Sequence, residues 1–106
     1  MALYQIMTKG YQAAEVEATP FTSLVQGQVF NFIYHEAINQ TNRITISHVE
    51  SGMQICDVSV MLLHQYAHNR FDAVETALDD FITKTGQARV RSVLAGAKPM
   101  PNNIKL

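Results

Sequence analysis

The most regular pattern in the chain is an apolar stripe between Ser59 and Lys84. Val60, Leu63, Ala67, Phe71, Val74, Leu78 and Phe81 recur at intervals of three and four, the spacing that lines one side of a helix. Ser59, or Asp57, is placed to cap the start, and Gly86 stands just past the end. The spacing predicts one long helix over about 59–84. Ahead of it, "RITISHV" and "MQICDV" flank Glu50-Ser51-Gly52, a hairpin with a three-residue loop and Gly52 in the left-handed position. That register sets Val49 against Met53, His48 against Gln54 and Ile46 against Cys56. Ile44, Ile46, Cys56 and Val58 then share the buried face.

The N-terminal part is less regular. "LYQIMT" and "YQAAEVEA" flank Lys9-Gly10 and read as a second hairpin. Thr19-Pro20 reads as an N-cap followed by proline at the first helical position, opening a short helix or turn through "FTSLVQ". The stretch "GQVFNFIYHEAINQ" admits two readings. Val29, Phe30, Phe32, Ile33 and Tyr34 favour a strand over about Gln28 to His35, whereas a helix from Pro20 to Gln40 would turn Glu36 into its own apolar face. The strand is preferred. "QARVRSVLAGA" reads as a short helix, narrowly over a strand, and the two prolines of "KPMPNNIKL" mark a tail. The fold class that results is α+β. An antiparallel sheet of four or five strands is covered on one face by the long helix, with a short C-terminal helix or strand and a flexible tail. A single domain spans 1–98 and the tail 99–106.

Composition adds a hint about partners. Charged residues make up 16% of the chain, against about 25% in an average soluble domain. A small domain so short of charge points to an apolar interface, most simply that of a homodimer. Leu62 and Tyr66, off the apolar stripe of the expected helix, are the candidate interface residues. The formal charge of −1 conceals an asymmetry. All nine acids lie within residues 1–83, while 84–106 hold five cations and no acid. Arg89, Arg91, Lys98 and Lys105 are therefore the candidate contacts to an anion or nucleic acid. That footprint is thin and carries no interleaved aromatic for base stacking. Cys56 is the lone cysteine, so no internal disulfide can form, and its strand context suits a small buried hydrophobe. The opening "MALYQIMTKG" has no basic start with an apolar run after it, and no stretch is apolar enough to span a bilayer. These signs point to a cytoplasmic protein without a membrane partner.

Chemistry enters through "MLLHQYAHNRFD". On one continuous helix, His64, His68 and Asp72 step outward from the edge of the apolar stripe by ~55°, ~95° and ~135°. Two imidazoles and a carboxylate are ligand types for zinc or a similar ion, with Glu36 as the outside carboxylate. A zinc-peptidase motif fails, because the position after the first histidine is Gln65 rather than glutamate. The chain has no glycine-rich phosphate loop and no G-x-S-x-G. The reading that follows is a non-enzymatic protein-binding module without a cofactor. It would be a homodimer that docks on a larger protein to modulate or inhibit it, in the manner of small phage or mobile-element proteins. The alternative is a metal-dependent enzyme, or a metal or small-ligand sensor, built on His64, His68 and Asp72. A third is a weak nucleic-acid binder acting through the basic C-terminal segment.

Overall fold

In the computed structural model, which describes residues 2–7, 13–36 and 43–97, five strands form an antiparallel sheet in sequence order. They are β1 (Ala2–Met7), β2 (Ala13–Val25), β3 (Gln28–Glu36), β4 (Ile44–His48) and β5 (Gln54–Val58). Three helices follow: α1 (Val60–Gln65), α2 (Arg70–Thr85) and α3 (Gln87–Gly96). The α+β class, the β3 strand and the short C-terminal helix match expectation. Both N-terminal strands are present, while the expected Lys9-Gly10 turn and the tail lie outside the described residues.

Thr19-Pro20 does not open a helix. It lies inside β2, whose thirteen residues run unbroken from Ala13 to Val25. The period here is two: Phe21 and Val25 point to the main core, while Pro20, Thr22 and Leu24 are exposed on the other face. Proline is tolerated because β1 pairs only with residues up to Ala18, which leaves the strand edge open beyond that point. β2 also changes its buried side along its length. Its first half turns Ala14, Val16 and Ala18 into a small second core with Tyr4, Ile6, Ile33 and Val49. Its second half serves the main core with the opposite parity. A two-residue turn, Gln26 (φ 50°) and Gly27 (φ 80°), joins β2 to β3, and two positive φ angles match the right-handed twist of a hairpin.

The main core fills the space between the sheet and the helices. Phe30, Phe32, Ile44, Ile46 and Val58 rise from the sheet to meet Ala73, Val74, Ala77, Leu78 and Ile82 of α2, with Val90 and Leu94 of α3. The shared face of Ile44, Ile46, Cys56 and Val58 is as expected, and so is the pairing of Ile46 with Cys56. Past that pair the register differs. A bulge between Ile46 and Ser47 brings Ser47, not His48, opposite Gln54, and the turn is one residue longer than three. It is closed by His48 N–H on Met53 O (2.8 Å) and Gly52 N–H on His48 O (2.8 Å), with Gly52 at φ 69°.

The long helix expected over 59–84 is interrupted. α1 stops at Gln65, Tyr66 caps it, and α2 starts afresh at Arg70. The cause is Asn69, whose backbone is extended (φ −152°) and whose Oδ1 accepts the Phe71 N–H at 3.1 Å. Asparagine is a poor interior residue and a strong N-cap, and Asp72 in the next turn complements the helix dipole. Ser59 caps α1 in the same way, its Oγ 3.2 Å from Leu62 N. The break lets α1 change direction. Leu62 and Tyr66, expected to face outward, pack against the main core instead, and Val60 and Met61 are the exposed apolar residues of α1.

Candidate functional site

The interruption decides what becomes of the histidine flank. His64 lies in the last turn of α1, His68 in the link and Asp72 in the first turn of α2, so no single helical face carries all three. His64 and His68 are exposed, as is Glu36 at the end of β3. Among the described residues, no three histidine, cysteine, aspartate or glutamate side chains come together in a metal-binding group. Arg89 and Arg91 are exposed on α3, where Arg91 Nε donates to Gln28 Oε1 at 3.1 Å and ties the helix to the hairpin. Lys98 and Lys105 lie outside the described residues.

Two other histidines are buried, and each is held by two groups. His35 Nδ1 donates to the Glu36 carbonyl at 2.9 Å, which leaves Nε2 to accept the Ser47 hydroxyl at 3.0 Å. Beside them Thr45 donates to Asp57 at 2.8 Å, and Asp57 pairs with Arg43 at 3.5 Å near the surface. His48 sits in the turn described above. Its Nδ1 meets the Ser51 hydroxyl at 2.8 Å, and Nε2 lies 2.7 Å from Glu50 Oε2, at ion-pair distance but off the line of a good hydrogen bond. Burial pushes both histidines below the usual imidazole range. The Glu36 carbonyl and Asp57 oppose that for His35, and Glu50 opposes it for His48.

Serine, histidine and glutamate within one turn resemble the parts of a nucleophilic triad, yet the connections are those of a brace. Ser51 Oγ already accepts the Met53 N–H at 3.2 Å, and the Gly52 N–H is spent on the His48 carbonyl. Neither amide remains to stabilise an oxyanion, and Ser51 and His48 are both buried. The cluster therefore secures the turn between β4 and β5. Cys56 is equally unsuited to attack: burial first, and then Asp57, push its thiol up to about 12.

The surface offers two features of a different kind. The first is on the sheet face away from the helices. Leu24 and Val29 stand directly opposite each other in the β2–β3 hairpin and are 65% and 59% exposed. Exposed Pro20, Thr22 and Asn31 extend this patch, whose own described side chains are uncharged; Glu50 accepts from Asn31 Nδ2 (2.8 Å) at its margin, and the Arg43–Asp57 pair lies on the same face toward β5. The sequence held a signal for it. Taking Gln26-Gly27 as a two-residue turn pairs Leu24 with Val29 on the side opposite Phe30. The second feature is an open cleft of about 590 Å³ where α1, the link and the start of α2 meet β4. Ile44, Val60, Leu63 and Ala67 line it together with His64, Tyr66 and Arg70.

Comparison with known proteins yields no match to any family model, to any curated protein or to any solved structure.

Proposed function

We propose that the protein is a non-catalytic protein-binding module that works as a homodimer and docks on a larger protein to modulate or inhibit it. The observation that carries this reading is the uncovered Leu24–Val29 pair at the open end of the sheet. Apolar area left in water costs about 25 cal/mol per Å² relative to burial, so an exposed apolar cross-strand pair favours a partner surface. An uncharged patch meets its own copy without electrostatic repulsion, which suits the two-fold contact of a dimer. The reading places the protein in the cytoplasm, in keeping with a lone cysteine held as the neutral thiol.

Light scattering on the eluting peak of a size-exclusion column tests the dimer. The expected mass is twice 11.9 kDa for the native chain, and Leu24→Glu is expected to return it to that of a monomer without lowering Tm. A native chain that remains monomeric at high concentration removes the dimer. A Leu24→Glu variant that still dimerises removes this face as its interface. Docking on a larger partner is checked by affinity capture, in which the native chain and not the Leu24→Glu variant is expected to retain one discrete protein.

A further inference from the structure

We infer that the cleft between β4, α1 and α2 is a binding site for a small monocarboxylate with an apolar tail. Its floor and walls are apolar, formed by Ile44, Val60, Leu63 and Ala67, and its polar groups are Arg70, His64 and Tyr66. Arg70 has no carboxylate partner among the described residues, where the ion pairs are Arg43 with Asp57 and His48 with Glu50. Among the described residues no acidic side chain lines the cleft. Glu36, opposite Ile44 in register on the same sheet face, stands outside the lining. Asp72, in the first turn of α2 two residues past Arg70, is outside the lining as well.

The chemistry of this set selects the ligand. A guanidinium matches a carboxylate through two parallel N–H donors, and a ring N–H of His64 or the Tyr66 hydroxyl can supply a further one. A single permanent cation compensates a monoanion but leaves a phosphate dianion in excess. The apolar floor replaces water around an aliphatic or aromatic tail, and the cleft volume falls in the range of small-molecule sites. The cleft is on the helix side of the sheet, whereas Leu24 and Val29 are on the other, so this site stands or falls independently of the dimer.

The test is a titration of the full-length chain with sodium octanoate, followed by ¹H–¹⁵N and methyl NMR, beside 1-octanol and inorganic phosphate. Octanoate is expected to saturate shifts at Ile44, Leu63, Ala67 and Arg70. Octanol and phosphate should each bind at least ten-fold more weakly. Arg70→Gln should lower octanoate affinity at least ten-fold with Tm unchanged, and Ala67→Glu, at an exposed position, should abolish binding by placing a carboxylate in the cleft. The proposal is overturned if octanol or phosphate matches octanoate, if Arg70→Gln binds as well as the native chain, or if the shifts map elsewhere.

Discussion

Mild acid should destabilise this protein through His35 and His48. Both rings are buried in the native state, at 4% and 2% exposure, and both are held below the ordinary imidazole value by that burial. The unfolded chain binds a proton at each near pH 6.5, whereas the folded chain resists until the pH falls through the depressed native values. The stability these groups provide is thus complete above about pH 6.5 and is lost as the pH drops below it. Within that window each histidine can contribute a slope of at most about 1.4 kcal/mol per pH unit, and the two together at most about 2.7. A domain of this size is stable by roughly 5–15 kcal/mol in total, so one pH unit removes a substantial share. Protonation also has a local cost. Ser47, fully buried, must turn its hydroxyl away from His35 Nε2, and Ser51 must do the same at His48 Nδ1. Urea melts at half-unit steps from pH 7.5 to 5.0 measure the slope directly. His35→Gln and His48→Gln, which keep an amide near each Nε2 position, are each expected to flatten it by about half, and the double variant to remove it. A native stability that stays level across this range, or a double variant that keeps the full slope, would refute the reasoning.

Four further outcomes are expected. Asn69→Ala should cost about 1 kcal/mol in urea melts by removing the cap of α2, and Asn69→Asp should cost much less. Gly27→Ala should cost on the order of 1 kcal/mol through backbone strain alone, because an added Cβ there meets no atom within 4 Å, while Gln26→Asn should be neutral or stabilising. Cys56 should react with a thiol-specific disulfide reagent at pH 8 far more slowly in the folded chain than in urea, its thiol being both half-buried and pushed up to about 12. Removing metal with a chelator should leave Tm unchanged, since His64, His68 and Asp72 are divided between three segments; a fall in Tm of several degrees would restore a metal to the account.

Much of the architecture is written in periodicity. The alternation around Glu50-Ser51-Gly52 placed Ile44, Ile46, Cys56 and Val58 on one face because a pleated strand offers no other arrangement. Where the reading missed, a local signal competed with a longer-range one. Thr19-Pro20 has the local form of a helix start, but Phe21 and Val25 gain more by joining Phe32 and Phe30 across the sheet. The apolar stripe over 60–81 runs straight through Asn69, and periodicity alone carries no sign that the chain bends there. The sign was Asn69 followed by Asp72, a cap and a first-turn acid. Missing it placed the three candidate ligands on one face and turned Leu62 and Tyr66 to solvent. The buried brace of His48, Glu50 and Ser51 was not legible, because it depends on a bulge that shifts the register by one residue.

The change of buried face along β2 has a consequence for how the molecule comes apart. One strand belongs to two cores, and β1 contributes Tyr4 and Ile6 to the smaller; β1 is a six-residue edge strand whose described pairing is confined to Ala13–Ala18. A tether pulling on the N-terminus would load those backbone bonds one after another, while the ladder between β3 and β4 lies behind a second hydrophobic cluster. Under force, or in native-state hydrogen exchange, β1 should therefore peel away as a separate step. The remaining four strands and three helices would keep the larger cluster intact, so the chain would show two thresholds of resistance along one continuous sheet.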